Sequence, residues 1–299
     1  IAIPTETVYG LAANAFNDYA VKKIYALKNR PHFNPLIVHI QSANYLDQIA
    51  IHIPPVARQL AAHFWPGPLT MILEKRDNVS SLVTADKHTV AVRVPNHPLT
   101  QQLLEVLDYP LAAPSANPFG SISSTSPDHV YDYFKDNLPL ILDGGICERG
   151  IESTIIGFED GIPILFRHGS IAIEEIEKVV GTLRTKTSNN RNPEAPGMLS
   201  KHYAPKTPFY LTAGVGKLAN DFVGKRVGAL VFKTKVASNL LHQEVLSENG
   251  DLKEAASNLY DAMHRLDNLS LEVIIAEELP KSNVGISIND RLKRAAQNK

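Results

Sequence analysis

Apolar residues in the first 185 positions alternate between short runs and helical spacing. Short β-branched runs predict strands, and apolar residues three or four positions apart predict amphipathic helices. The predicted strands cover residues 1–3, 35–40, 69–73, 90–94, 111–113, 138–142 and 153–156. The predicted helices cover residues 18–28, with Asp18 as N-cap, 56–64 and 99–107. Strands and helices mixed at such short spacing predict an α/β fold.

The pattern changes after about residue 185. Residues 185–205 contain three prolines and three asparagines and show little apolar periodicity, which is typical of a linker. Beyond them, residues 209–211, 227–232 and 272–276 predict strands, and residues 252–266 predict a helix. We therefore expect a larger domain at residues 1–184, a linker at 185–206 and a smaller α/β domain at 207–299.

Composition and charge narrow the function classes. A length of 299 residues suits two domains, and 44% hydrophobic with 20% charged residues is ordinary for a globular chain. The formal net charge of −1 gives no reason to expect a general nucleic-acid binder. Cys147 is the one cysteine, so no intrachain disulfide or cysteine metal site is expected, and a reducing cytoplasm fits. No run approaches the roughly 20 apolar residues of a membrane helix.

Four polar segments stand at points where a substrate would bind. Residues 4–11 (PTETVYGL) place hydroxyls and a carboxylate directly after a buried strand, where α/β sheets bind ligands. Lys28 and Arg30 lie at the end of a predicted helix, just before a loop bounded by prolines. Two cations at such a position suit the binding of phosphate oxygens. A structural role stays open for both segments, because Thr and Gly form caps and turns and cations favour helix C-termini.

The other two segments have the same character. Residues 113–117 (APSAN), followed by Gly120 and Ser123, come after a short apolar strand and suit a neutral cradle for an anion or nucleotide. Residues 150–156 (GIESTII) enter a strand, and Arg167 follows the next hairpin. A structural role stays open for both: residues 113–117 can be a loop whose residues only form turns, and Arg167 can be an ordinary surface charge. Each segment alone is a weak signal.

Together, the four segments resemble threonylcarbamoyl-AMP synthases, the family built on the YrdC-type domain. The resemblance covers residues 1–170, and its signature is the pairing of Lys28-x-Arg30 with Ser115-x-Asn117. Residues 196–198 (PGM) and 202–205 (HYAP) resemble the linker of the family's long form, and residues 284–296 resemble the end of its extra C-terminal domain. Residues 1–3 read as the end of a strand, and because the family usually has a segment before it, we expect residues upstream.

The resemblance implies both a fold and a reaction. The fold is a twisted mixed-sheet domain with a concave cleft, followed by a smaller Rossmann-like α/β domain. The reaction makes L-threonylcarbamoyladenylate from L-threonine, bicarbonate or CO₂, and ATP, and releases pyrophosphate. ATP is thus a substrate, and Mg²⁺ is expected to accompany it; which groups bind the ion stays open. The expected location is the cytoplasm, with no membrane, and the expected partner is a downstream transferase that modifies tRNA; direct tRNA binding stays open.

The resemblance also implies roles for individual residues. The catalytic set is Lys28, Arg30, Ser115 and Asn117. The threonine contacts are Thr7, His39, Arg93, Ala113 (through its backbone) and Ser153. The ATP contacts are Lys28, Arg30, Asn34, Thr89, Ser115, Asn117, Ser123, Arg167, His202 and Tyr203, the last two in a lid over the nucleotide. Glu6 and Glu152 either orient cations or cap turns.

Three other functions compete with this interpretation. A non-catalytic protein that binds double-stranded RNA would use the same cleft, although the net charge argues against it. Carbamoyl-adenylate enzymes of hydrogenase maturation carry zinc-finger-like segments, and no C-x-x-C pair is present. A regulatory protein that had lost catalysis would not be expected to keep every signature residue. The Walker A, H-E-x-x-H and G-x-S-x-G motifs are also missing.

Overall fold

The described part of the chain folds around two large β-sheets, with a two-stranded hairpin beside the first. The computed structural model describes residues 1–186, 202–237 and 240–296. Within these residues, the N-terminal part contains a nine-stranded mixed sheet and the C-terminal part a four-stranded parallel sheet. The predicted α/β class, with a mixed sheet followed by a smaller parallel sheet, is therefore confirmed.

The N-terminal part alternates short strands with short helices. Its strands are β1 (Ala2–Ile3), β2 (Gly10–Leu11), β3 (Ala13–Asn14), β4 (Ile37–His39), β5 (Ala50–Ile51), β6 (Leu69–Lys75), β7 (Thr89–Arg93), β8 (Leu111–Ala112), β9 (Thr154–Glu159), β10 (Ile162–Arg167) and β11 (Arg184–Thr185). Its helices are α1 (Asp18–Lys28), α2 (Pro55–Phe64), α3 (Ser81–Thr84), α4 (Pro98–Val106), α5 (Pro127–Phe134) and α6 (Ile173–Val180), with 3₁₀ turns at Ala43–Gln48 and Lys135–Asn137.

The topology of the large sheet gathers distant residues at one edge. The strand order is β11-β10-β9-β6-β7-β4-β8-β3, with β5 beside β6. β4 and β7 are parallel, so His39 lies opposite Arg93 where both strands end. β6 is antiparallel to β7 and parallel to β9, so β6 and β9 begin at this same edge, where Ser153 precedes β9. β10 is antiparallel to β9 and ends there at Arg167.

A small hairpin holds two of the polar segments together. β1 and β2 pair antiparallel, and the Leu11 N–H donates to the Pro114 carbonyl at 2.8 Å. Gly10 forms an isolated bridge with Ser115, and a Cβ at Gly10 would lie 3.2 Å from the Ala113 Cβ. The close approach of these two backbones is the local reason for a glycine at this position.

The structure corrects two details of the predicted elements. The N-cap of α1 is Asn17, not Asp18, because the Asn17 side chain accepts from the Ala20 N–H at 3.1 Å. Asp18 instead lies in the first turn, where a negative charge favours the helix dipole. The strand predicted at residues 138–142 is wrong: only Ile141 forms an isolated bridge, to Ala2. Pro139 within this run has no N–H to donate to a ladder.

The C-terminal part is a small parallel sheet with helices around it. Its elements are β12 (Phe209–Thr212), α7 (Val215–Ala219), a 3₁₀ turn (Asn220–Phe222), β13 (Val227–Val231), β14 (His242–Val245), α8 (Leu252–Asp267), β15 (Val273–Glu277) and α9 (Val284–Ala295). The strand order is β12-β15-β13-β14, all parallel. Central β13 is buried along its whole length, as expected for a strand covered on both faces. None of the helices in the described ranges is long and apolar enough to cross a membrane.

Candidate active site

A cavity opens at the sheet edge where the four polar segments meet. The residues assigned to substrates that line it are Thr7, Arg30, His39, Arg93, Ala113, Ser115, Ser153, Arg167, His202 and Tyr203. Those that do not line it are Lys28, Asn34, Thr89, Asn117 and Ser123. The sheet therefore brings most of the assigned residues together although they are spread over about 200 positions of the sequence.

Arg93 is fixed by three groups at the end of β7. Its guanidinium forms an ion pair with Glu6 at 2.7 Å and donates to Thr7 Oγ1 at 2.9 Å and to the Gly67 carbonyl at 3.2 Å. Glu6 is itself held by the Asn96 N–H at 3.0 Å. Both ionic side chains are only 4% exposed, so their geometry is not loosened by solvent. Arg93 thus presents an immobile cation, suited to a carboxylate.

His39 lies beside Arg93 as a neutral ring. It is buried, and burial together with the Arg93 charge lowers its pKa to about 3. Its Nδ1 atom finds no hydrogen-bond partner among the described residues. A buried polar atom of this kind usually has a partner, so a ligand hydroxyl or amine is a suitable one. His39 can therefore offer a hydrogen bond near neutral pH, but not a charge.

Arg30 and Arg167 bring two further guanidinium groups to the cavity. Arg30 donates to the Asn34 carbonyl at 3.1 Å and to the Pro35 carbonyl at 2.7 Å. Arg167 donates to the Ser153 carbonyl at 2.8 Å and to its hydroxyl at 3.0 Å. Burial lowers the pKa of Arg30 to about 10, and it also lowers the pKa of Arg167. An anion between the two would offset the cost of burying them.

Lys28 does not line the cavity but supports the loop at residues 113–117. The last residue of α1, it is 1% exposed, and its ammonium donates to the Ser115 carbonyl at 2.5 Å and to the Asn117 carbonyl. Its own carbonyl accepts from the Phe119 N–H at 2.8 Å. Burial and the Arg30 charge lower its pKa well below the usual value. In this structure Lys28 thus holds the Ser115-x-Asn117 loop, whereas the sequence suggested a grip on phosphate.

The remaining assigned residues lie around the cavity. Asn34 is fully buried, and neither atom of its side-chain amide has a hydrogen-bond partner within the described ranges. Ser123 donates to Glu152, which does line the cavity. Thr89 lines a second, wider groove of about 830 Å³. Thr89 begins β7 and Arg93 ends it, so Thr89 lies about 13 Å along the strand from Arg93, and this structure does not bring it into the first cavity.

The linker residues His202 and Tyr203 form part of the cavity wall. Burial lowers the pKa of His202 to about 3, so this ring is neutral too. The His202 ring meets Phe119 edge-on at 6.1 Å, and Tyr203 stacks on Tyr260 of α8 at 5.6 Å. The PGM motif at residues 196–198 lies outside the described residues. His202 and Tyr203 are thus the described residues of the proposed lid, and their closing over a nucleotide stays a prediction.

Sequence analysis missed two residues of the C-terminal part that reach the Glu152 carboxylate. The Tyr260 hydroxyl donates to both oxygens of Glu152, at 3.1 and 3.0 Å, and Arg291 of α9 forms an ion pair with it at 3.2 Å. Both residues are fully buried. The one signal in the sequence is the N-D-R-L motif that contains Arg291, and it indicates only a resemblance to the end of the family's C-terminal domain. Glu6 and Glu152 both orient cations, the first of the two roles considered for them.

The described residues do not form a dedicated metal site. No group of three or more His, Cys, Asp or Glu side chains in the described ranges is arranged to hold an ion. The two carboxylates nearest the cavity are each committed to an arginine. This donor set does not suit a resident Mg²⁺, which requires several oxygen ligands.

Comparison with known proteins agrees with this geometry. The family model Sua5/YciO/YrdC, described as "Telomere recombination", matches residues 1–169, and the model "Threonylcarbamoyl-AMP synthase, C-terminal domain" matches residues 171–297. Threonylcarbamoyl-AMP synthases from Pyrococcus abyssi and Bacillus subtilis are 38% and 40% identical to this chain; each comparison covers 99% of it, and 90% and 89% of the relative.

A solved structure extends the likeness to three dimensions. The crystal structure of P. abyssi Sua5 complexed with L-threonine matches with a TM-score of 0.93 and 38% identity, over 99% of this chain and 89% of that one. The two family models meet at residue 170, between β10 and α6, and together they cover both parts of the fold. The chain therefore belongs to the Sua5/YciO/YrdC family, in the form that carries the threonylcarbamoyl-AMP synthase C-terminal domain.

Proposed function

We propose that this chain condenses L-threonine, bicarbonate or CO₂, and ATP into L-threonylcarbamoyladenylate, with release of pyrophosphate. The observation that carries the proposal is the single cavity in which Arg93 and Thr7 lie near Arg30 and Arg167. Such a cavity suits a small amino acid next to a polyphosphate. The relatives named above are threonylcarbamoyl-AMP synthases, and one of them was solved with L-threonine bound.

Threonine would bind at the Arg93 end. The fixed guanidinium would take the amino-acid carboxylate together with the hydroxyls of Thr7 and Ser153. The neutral His39 ring would hydrogen-bond a polar group of threonine, and the Ala113 backbone would meet its amine. The amine would then face the nucleotide side, where a carbamate formed with CO₂ could attack the α-phosphorus of ATP.

ATP would bind along the face that leads from Arg30 to Thr89. Arg30 and Arg167 would stabilise the charge that develops on the α-phosphate and on the leaving pyrophosphate. Asn34 and Ser115 would add neutral hydrogen bonds, while Lys28 and Asn117 would shape the loop that presents Ser115. His202 and Tyr203 would cover the nucleotide from the linker side. The adenosine end would extend toward the wider groove that Thr89 lines.

Catalysis in this arrangement rests on position and fixed charge. Mg²⁺ would enter bound to the ATP phosphates, since the described side chains provide no cage for it. Covalent catalysis by Cys147 does not fit, because the thiol is buried and burial raises its pKa to about 12. The product would serve a separate transferase that modifies adenosine in tRNA, and we expect both proteins to work in the cytoplasm. No observation favours the double-stranded RNA alternative.

The test is pyrophosphate release from ATP by the purified chain. Release is measured with and without L-threonine and bicarbonate, and L-serine replaces threonine as the control. The expected result is release that requires both substrates and is faster with threonine than with serine. Release that is independent of threonine, or no release at all, would refute the proposed function.

A further inference from the structure

The Glu152 carboxylate connects the cavity wall to the C-terminal part of the chain. We propose that the C-terminal part takes part in the reaction by holding this carboxylate, which in turn fixes Ser123 at the nucleotide side of the cavity. The inference rests on the proposed function for the identity of the ligand. Glu152 is a positioning residue in this account, because it acts through Ser123 and not on the reacting atoms.

Glu152 has partners from both parts of the fold. The Ser123 hydroxyl donates to its Oε1 atom at 2.7 Å. Tyr260 of α8 donates to both oxygens at 3.1 and 3.0 Å, and Arg291 of α9 donates through Nε to Oε2 at 3.2 Å. Two of these three partners therefore come from the C-terminal helices. Without Tyr260 and Arg291, the Glu152 carboxylate would keep only the Ser123 hydroxyl of these three partners.

The charges show why this contact is costly to lose. Burial alone would raise the pKa of Glu152, but the Arg291 and Arg167 charges bring it below its ordinary value, so the carboxylate stays ionised. The Arg291 side chain has no exposed surface. Removing one partner of such a buried pair leaves an uncompensated charge, which is far more costly than losing an exposed pair.

The C-terminal helices also contact the backbone on both sides of Glu152. A Cβ on Gly150 would lie 2.3 Å from the Ser257 carbonyl oxygen of α8, so the backbones touch there. Past the following hairpin, Ser287 donates to the Gly169 carbonyl at 2.7 Å, and Arg291 donates to the His168 carbonyl at 2.6 Å. The C-terminal helices thus fix the backbone around Glu152 as well as its side chain.

Apolar packing also connects the C-terminal part to residues of the site. Val8, Ile122 and Ile151 belong to the buried cluster formed mainly by residues of α8, α9 and β15. Each is the direct sequence neighbour of a site residue, namely Thr7, Ser123 and Glu152. Docking of the C-terminal part therefore sets the backbone position of residues on the threonine side and on the nucleotide side.

The hydrogen bond to Glu152 also decides what Ser123 can bind. A serine hydroxyl has one proton to donate, and this proton goes to Glu152. Ser123 can then face a ligand only as an acceptor. Phosphate oxygens of ATP have no proton to give, whereas the ribose hydroxyls and the adenine amine do. Ser123 lies behind Glu152 and outside the cavity lining, so in the proposed function it would meet a donor group of the nucleoside when ATP is bound, with the polarity that Tyr260 and Arg291 maintain.

The experiment uses the full chain with Tyr260→Phe and Glu152→Gln. The expected result is a rise of about tenfold or more in KM for ATP, with KM for L-threonine changed less than about twofold. Lys253→Ala is the matched control, because Lys253 contacts Glu175 across the same interface at 3.8 Å but is largely exposed. Its kinetics should equal those of the unaltered chain.

A double-mutant cycle separates positioning from general stability. Tyr260→Phe should add little to the ATP defect of Ser123→Ala, because in this account Tyr260 acts on ATP only through Glu152 and Ser123. Additive effects, or a Tyr260→Phe defect that disappears on cooling in step with the folded fraction, would overturn the inference. Tyr260→Phe removes one hydroxyl only, so it stands as the test if Glu152→Gln does not fold. ATP affinity measured by calorimetry on the same variants keeps this inference separate from a failure of the proposed reaction.

Discussion

Replacement of Lys28 by methionine tests how the cleft is held together. Methionine keeps the apolar stem but removes the ammonium that binds the Ser115 and Asn117 carbonyls. Each buried carbonyl left without a donor costs about 1–3 kcal/mol. Removing a buried charge returns part of this cost. We therefore expect the free energy of unfolding to fall by about 2 kcal/mol and the Tm to fall by about 4–8 °C.

Activity should suffer much more than stability. The loop that Lys28 supports presents Ser115 to the cavity. A misplacement of about 1 Å in such a group costs about 100-fold in rate, so we expect kcat/KM for ATP to fall about 100-fold. Pyrophosphate release is measured at 25 °C, where the variant stays folded, and a thermal melt reports the Tm. Lys75→Met is the control, because Lys75 also donates to a carbonyl, that of Val79 at 2.9 Å, outside the cavity lining.

Two results would refute this reasoning. One is a Lys28→Met variant with the kcat/KM of the unaltered chain. The other is a loss of activity that only follows the unfolded fraction and is recovered on cooling. A direct contact between Lys28 and phosphate is distinguished by a separate measurement. In that case Lys28→Met would bind pyrophosphate more weakly than the unaltered chain, and its binding would depend less on salt.

Three further predictions concern single side chains. Arg93→Lys should raise KM for L-threonine at least tenfold in the pyrophosphate assay and leave KM for ATP nearly unchanged, because a lysine cannot make the bidentate contact. His39 has a pKa of about 3 in the folded chain, below its unfolded value of about 6.5, so its contribution to stability is complete above pH 6.5 and is lost as the pH falls toward 3. The Tm of His39→Gln should therefore fall less than that of the unaltered chain between pH 7 and about pH 4.5. Cys147 should resist iodoacetamide at pH 8 until the chain unfolds, as followed by mass spectrometry, because it is buried and its pKa is about 12.

The sequence predicts which residues come together at the site better than it predicts the contacts among them. Short apolar runs followed by polar residues mark strand ends, and parallel pairing brings such ends to one edge, as with His39 and Arg93. Side-chain direction has no comparable pattern. Lys28 follows Ile24 by one helical turn, on the same buried face of α1. Because the side chain is buried there, its ammonium donates to backbone carbonyls. A capping residue can likewise shift by one position, because Asn17 and Asp18 have nearly the same capping chemistry.

Contacts between the two parts of the chain were beyond sequence reasoning. Glu152 and Arg291 are 139 residues apart, and neither periodicity nor composition relates them. Tyr260 is one more large side chain on the buried face of α8, so its hydroxyl leaves no trace in the hydrophobic pattern. Such contacts depend on the docking of two folded units, which a single sequence does not encode in any local signal.

The distribution of charge in the cavity matches the two substrates separately. At the threonine end, the Arg93 cation is balanced by Glu6, so this end carries no net charge. A zwitterionic amino acid, itself neutral overall, can exchange hydrogen bonds there without bringing in or removing charge. At the other end, Arg30 is held by two neutral carbonyls, and its pKa is lowered because burial leaves its charge poorly compensated. ATP phosphates would supply the compensation. The cleft thus holds Arg93, whose charge is balanced, and Arg30, whose charge is not, and in the proposed function their order would set the direction in which threonine meets the α-phosphate.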